Sequence, residues 1–346
     1  NMSGHSLIDY SFHCGIVSVS GQTREELNDL LQLGINSLKI FTTFRNGPMF
    51  PQDSYPELFR LSRDLELLLT FHAEDDVIID NLEKQYEKQQ LTGIKHFSST
   101  RPAESEAVAI RKIGKVAKAY DMPFYIVHLS SEKGLDAVRS LRDQSVRISC
   151  ETRPHYLVLT RESYEEDQIA KMLVVPPIRF KSDQRALLRG LRSGEIQTIA
   201  SDHYARPLAD KLKNNSIFQP DMGLPGIETM LPLVHHFCVN SSVIEYTKLV
   251  QLLSSNPARI FGLYPEKGSL EIGTDADIVV FDPDREMVVT HNRLHSNAGF
   301  TPFEGIKVKG WPIMTFLRGD LIVKNGSRVS RSANGKFVKA KKSSLI

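Results

Sequence analysis

A chain of 346 residues with 41% hydrophobic content can bury a large core, and its length suits one large α/β barrel plus a smaller appended unit. Forty-three Lys and Arg against 41 Asp and Glu leave a net charge of +2, with no long single-sign run before the C-terminal stretch, which argues against nucleic acid as a partner. The longest apolar runs, such as Leu65 to Phe71 broken by Glu66, are too short for a membrane span and no signal-peptide pattern opens the chain, so a soluble, cytoplasmic protein is the default expectation. Cys14, Cys150 and Cys238 are widely separated, form no CxxC pair, and are expected to be reduced and buried. The opening Asn1-Met2-Ser3 lacks an initial methionine, which points to a processed or cut N-terminus.

From Gly21 to about Gly262, short β-branched runs alternate with amphipathic stretches, the pattern of a parallel sheet wrapped in helices. In chain order, Thr23 and Glu26 read as a capping box opening a helix, and Gly34 to Phe41 reads as the strand after it. Leu65 to His72, Pro123 to His128, Val146 to Cys150 and Ile196 to Ala200 read as further strands. Between them, Ala103 to Tyr120, Glu132 to Arg142 and Ser182 to Ser193 carry apolar residues at helical spacing, for example Val108, Ile110, Ile113, Val116 and Ala117. Repeated βα units on this scale predict a (β/α)₈ TIM-type barrel over residues 1–262. After Gly262 come Gly-punctuated strand patterns, Gly268 to Phe281, Ile306 to Leu317 and Asp320 to Val323, which predict a small β-rich domain over 263–326. Residues 327–346 are basic, Ser-rich and poor in apolar side chains, the composition of an arm or a frayed tail.

In such a barrel, functional side chains gather at the C-terminal ends of the strands. Lys39 lies near the end of SLKIF, His72 ends LLLTFH, His128 ends FYIVH, and Asp202 follows TIAS. Imidazole nitrogens and a carboxylate are metal ligands, and the carboxylate can also move a proton, so the four together suit a hydrolytic metal site. Taken singly, a strand-end histidine is more often a hydrogen-bonded structural residue, and a lysine there usually extends to solvent. His235 and His236 are adjacent on an expected helix and so make a poor ligand pair.

The segments SLKIF, FHAED, IVHLSS, ETRPHYL, PPIR, IASDH, PGIE and NPARIFGL follow one another in an order that resembles the dihydropyrimidinase, hydantoinase, allantoinase and dihydroorotase group of cyclic amidohydrolases. The run NPARIFGLYPEKGSLEIGTDADIVVFDPD is similar to the junction where those enzymes leave the barrel for a β-sandwich, and the resemblance covers Ile8 to about Val323. It implies two divalent ions, usually zinc, bridged by a carboxylated Lys39. His72 and His128 would bind the more exposed ion, and Asp202 would ligate the other and shuttle the proton. It further implies a small cyclic amide or ureide substrate opened to an N-carbamoyl amino acid, and a homo-oligomer, dimer or tetramer.

The sequence departs from that group in four places. Relatives carry an HxH pair at the end of the first barrel strand, and no HxH occurs here; it is expected upstream of Asn1, with part of the sandwich, so that the barrel is read as incomplete at its N-terminus and the chain alone as inactive. Phe44 stands where dihydropyrimidinases usually have a tyrosine that contacts a substrate carbonyl, and it cannot donate a hydrogen bond. Val175 replaces a common serine, and Met222 stands near a frequent asparagine, at positions that often meet substrate through the backbone. Met49, Phe50 and Tyr55 are candidate pocket residues, with core packing their commoner role. Two other readings of the resemblance are allantoinase or dihydroorotase specificity, and a non-catalytic scaffold like the dihydropyrimidinase-related proteins, which have generally lost metal residues that survive here.

Overall fold

Runs such as Leu68 to His72, buried along their whole length, can be accommodated only where helices cover a sheet on the outside and side chains fill its inside. The structure, a computed structural model, describes all residues except 1, 3, 164, 166, 167 and 331; Asn1 and Ser3 of the opening tripeptide and Arg331 of the basic tail thus lie outside the described residues. Six parallel strands, β1 (Cys14–Gly15), β2 (Ser37–Phe41), β3 (Leu68–His72), β4 (Phe124–Ile126), β5 (Ile148–Thr152) and β6 (Thr198–Ile199), are hydrogen-bonded in chain order. Helices Tyr55–Asp64, Ala103–Ala119, Glu132–Asp143 and Lys181–Ser193 connect them, the arrangement of a (β/α)₈-type barrel. The register sets Phe41 beside His72 and Phe71 beside Ile126, so the C-terminal ends of β2 and β3 finish level with Phe41 and His72 on one face, and His128, two residues past Ile126 at the end of β4, follows beyond them. No helix among the described residues is long and apolar enough to cross a membrane.

Several local expectations are corrected. Thr23 does not cap its helix: Gln22 holds the N-cap position, and Thr23 Oγ1 instead accepts from Ser20 N at 2.8 Å within the preceding turn. Gly34 belongs to the end of that helix as its cap, and the strand starts at Ser37. Strand β3 starts at Leu68 because Leu65 closes the preceding helix and Glu66, at φ 56°, turns the chain. Cys150 and Cys238 are buried free thiols as expected, but Cys14, on the edge strand β1, is partly exposed.

A four-stranded antiparallel sheet follows, ordered β10 (Ser327–Arg328), β9 (Asp320–Lys324), β8 (Lys307–Leu317), β7 (Ile278–Val288). Residues 268–277, expected as strand, form turns instead. This segment is drawn in by Lys267, whose ammonium lies 2.7 Å from Asp275, 2.5 Å from Asp277 and 2.6 Å from Asp9.

Residues 335–346 do not fray. They run back as a strap along residues 6–10 and across to Asn36 and Gly262: Val338 N donates to Tyr10 O, Ala340 N to Gly34 O, and Lys341 N to Gly262 O, each at 2.8 Å. Asn36 Nδ2 donates to Lys341 O at 2.5 Å and Ser343 Oγ to Ile260 O at 2.5 Å. Composition hid this because the strap is held mainly through its backbone, with Phe337 stacked on Phe12 and Ile346 packed against the core. Gly262 permits the approach, since a Cβ there would lie 2.0 Å from Lys341 O.

Candidate active site

Lys39, His72, His128 and Asp202 line a single cleft of about 510 Å³, and Phe44, Val175 and Met222 line it too. Lys39 comes from within β2 and His72 is the last residue of β3; His128 lies just past β4, and Asp202 just past β6. Phe44, His128 and Asp202 all have positive φ, 79°, 43° and 50°, an uncommon conformation for residues with a Cβ and one that functional sites accumulate. Met49, Phe50 and Tyr55 lie elsewhere, around a separate cavity of about 170 Å³, with Phe50 and Tyr55 in the core.

The histidine geometry follows from the groups behind it. Arg101 donates to Glu74 Oε2 at 2.9 Å, and although burial alone would raise the Glu74 carboxyl, Arg101 and His72 hold it below its usual range. The ionised Glu74 accepts a hydrogen bond from His72 Nε2–H at 2.9 Å, which leaves the lone pair on His72 Nδ1. His128 Nε2 meets that Nδ1 at 2.8 Å. Burial pushes the His72 imidazole down, and burial together with His72 pushes His128 well down, so both rings are neutral and the contact is one N–H shared between them. The two imidazole nitrogens thus face each other across 2.8 Å on the cleft. His128 Nδ1 is buried and has no partner among the described residues.

Lys39 is desolvated: burial, with Asp202 opposing and Arg153 assisting, brings its ammonium down to about 7, and Nζ sits 4.8 Å from the Phe41 ring centre. Asp202 would be raised by burial, but the opposing charges, Arg153 first, outweigh that and hold it below its usual range. Behind it, Arg153 Nη2 is 2.6 Å from Glu151 Oε1 and 3.7 Å from Asp202 Oδ1, and Glu151 Oε2 accepts from Tyr125 OH at 2.8 Å. His155, pushed down to about 3 by burial, keeps Nε2 buried without a partner among the described residues.

Glu74, Arg101, Arg153 and His155 did not stand out in the sequence. Glu74 had a signal in its spacing from His72 within FHAED, whereas the others depend on approaches across 27 residues or more, or on burial. His235 is structural: its ring bonds Lys309 O at 2.7 Å and Tyr246 OH at 2.9 Å.

The donor set, neutral imidazoles with a carboxylate and a lysine amine on one cleft, fits a divalent cation. Among the described residues, the place where three acidic or imidazole donors already converge is different: Asp9, Asp275 and Asp277. That trio encloses the Lys267 ammonium, with Arg318 also bonded to Asp9, so its charge is satisfied by protein cations and it is a structural clamp.

Residues 42–322 match the amidohydrolase family. Over 344 residues the chain is 35% identical to a D-hydantoinase from Ralstonia pickettii, covering 98% of this chain and 75% of that protein. Over 339 residues it is 32% identical to a D-phenylhydantoinase from Escherichia coli O127:H6, covering 97% and 73%. A solved D-hydantoinase structure superposes with a TM-score of 0.94 at 34% identity, over 98% of this chain and 75% of that one. A dihydropyrimidinase from Brevibacillus agri NCHU1002 superposes with a TM-score of 0.93 at 30% identity over the same shares.

Proposed function

Because the chain belongs to the amidohydrolase family, in its dihydropyrimidinase and hydantoinase branch, we propose that the protein opens a cyclic amide or ureide ring by metal-dependent hydrolysis in the cleft of Lys39, His72, His128 and Asp202. The product would be an N-carbamoyl amino acid. The observation that carries this reading is the approach of His72 Nδ1 and His128 Nε2 to 2.8 Å in the cleft that Lys39 and Asp202 also line.

His72 and His128 would hold the more exposed of two divalent ions, zinc by donor type, and Asp202 would hold the other. The chemistry such ions supply when bound is acidification of a water and polarisation of the scissile carbonyl. Glu74 accepts from His72 Nε2 and so leaves Nδ1 as the nitrogen that would bind an ion. Lys39, brought down to about 7, has a large neutral fraction, the nucleophilic form that would add carbon dioxide with loss of a proton, and the resulting carbamate would supply oxygens to hold the ions. Asp202, held ionised by Arg153, takes a proton from the attacking water and returns it to the ring nitrogen as the C–N bond breaks. Phe44, with Val175 and Met222 in one apolar cluster, offers packing and no hydroxyl, which favours substituted rings over those that need a hydrogen bond at that position.

A homo-oligomeric, cytoplasmic enzyme completes the reading; a second copy would cover the apolar Ile278, Val279 and Val280 exposed on edge strand β7. The test is to join the chain to an upstream segment carrying the HxH pair, load the purified protein with zinc, count bound ions by mass spectrometry, and follow ring opening of hydantoin and dihydrouracil by chromatography. Retention of metal that His72→Ala with His128→Ala abolishes, together with N-carbamoyl product, is the expected result. A folded protein that keeps the same metal in the double variant, or forms no product when loaded, overturns it.

A further inference from the structure

One fully buried cation plays no part in the chemistry above. Lys211, at the end of the short helix Leu208–Lys211, has 0% exposure, and its ammonium is bonded to Leu173 O at 3.1 Å, Asp221 O at 2.9 Å and Gly223 O at 2.8 Å. An ammonium has three protons, and here all three are spent on backbone carbonyls, with the Phe300 ring centre 5.8 Å away. Those carbonyls belong to two loops that build one wall of the cleft, residues 173–175 and 221–223. Gly223 N also donates to Leu173 O at 3.0 Å, so the loops are stitched directly and through the lysine. The side chains they present, Val175 and Met222, pack with Leu173, Phe97 and Ile217 beside Phe44.

We propose that Lys211 is a positioning residue whose ammonium locks these two loops together and so sets the shape of the apolar wall against which a ring substituent rests. This role rests on the reading of the cleft as the substrate site. A buried ammonium is costly unless oxygen dipoles replace its water, and three carbonyls do so here. Neutral side chains of similar length cannot gather three acceptors. Removal of the charge leaves carbonyls on both loops without their donor, while the bond from Gly223 N, the apolar packing of Val175 and Met222, and Arg206, whose Nη2 lies 2.9 Å from Asp221 Oδ1, remain. Lys211 touches neither the histidines nor Asp202, so the metal-directed end of the cleft does not depend on it.

The experiment compares the full chain with Lys211→Met, using hydrogen exchange by mass spectrometry and steady-state hydrolysis of hydantoin and of a 5-aryl hydantoin. Expected is roughly tenfold or faster exchange in peptides spanning 173–175 and 221–224, with β3 and β4 unchanged. Bound metal should not change, and KM for the aryl substrate should rise about tenfold while its kcat stays within about threefold, shifting the preference between the two rings. Should Lys211→Met not fold, Lys211→Gln, which keeps two donors, reads the same quantities. Unchanged exchange in both loops overturns the proposal. Faster exchange with equal losses on both substrates overturns it too, because that is the signature of a merely structural lysine. An unchanged chain that hydrolyses no ring would instead remove the substrate reading, and with it the effect on specificity, while exchange would still decide whether Lys211 locks the loops.

Discussion

Asp202 and Arg153 approach to 3.7 Å, close enough for the guanidinium to hold the carboxylate ionised and far enough to leave its oxygens available to the cleft. Asp202→Asn keeps the size and removes the proposed base. Turnover is expected to fall on the order of 10²- to 10⁴-fold with the ion of His72 and His128 still bound, as measured by kcat alongside metal content. A kcat within a few-fold of the parent would show that another group carries the proton. Lys39, His72, His128 and Asp202 could be picked from the sequence because each sits at or just beyond a strand end within a recognisable motif. Arg153 and Lys211 could not: one lies 49 positions from its carboxylate partner, the other bonds only carbonyls, and neither relation leaves a trace in spacing. Phe44 was legible as a substitution, but its positive φ and its packing on His72, with ring centres 5.1 Å apart, belong to the folded chain.

Helices were the most legible elements, since Ala103–Ala119 and Glu132–Asp143 carry their apolar periodicity in full. Strand starts were less so, because Leu65 and Leu67 are as apolar as β3 itself, and only the turn at Glu66 separates helix from strand. The two helices also show where propensity and packing disagree. Gly134, in the first turn of Glu132–Asp143, donates to the capping Ser131 Oγ at 3.0 Å, and a Cβ on it would come within 2.4 Å of Glu106 Oε2. Glu106 cannot move aside easily: its carboxylate takes Ser130 N at 2.8 Å, Ser130 Oγ at 2.9 Å and the Ser131 hydroxyl. Gly134→Ala gains roughly 1 kcal/mol of helix propensity. The clash outweighs it, so a net loss of about 1–3 kcal/mol is expected in urea unfolding. An equal or higher midpoint would show that the Ser130–Ser131 loop yields without cost.

For the molecule as a whole, Asp9 is the joint of four distant segments. It pairs with Lys267 at 2.6 Å and with Arg318, and it accepts from Lys336 N at 2.8 Å. Burial would raise its carboxyl, but Arg318 and Lys267 bring it from 3.8 down to about 2. An acid depressed on folding contributes stability that is complete above the unfolded value and vanishes as pH falls through the folded one. Between pH 4 and pH 2 this joint should lose about 2 kcal/mol, and Asp9→Asn should flatten that part of the profile of melting temperature against pH. A profile equally steep in the variant would place the acid sensitivity elsewhere. The strap over 335–346 has a consequence in time. Its contacts join residues as much as 327 positions apart, the kind whose loop-closure entropy makes them form after the barrel strands have met. Interactions made after the rate-limiting barrier slow escape from the native state without hastening arrival. Deleting 335–346 should therefore raise the unfolding rate on the order of tenfold and leave the refolding rate nearly unchanged in stopped-flow urea jumps. A slowed refolding limb would put the strap in the nucleus instead; otherwise it acts as a latch, setting how long the folded protein lasts while having little say in how fast it forms.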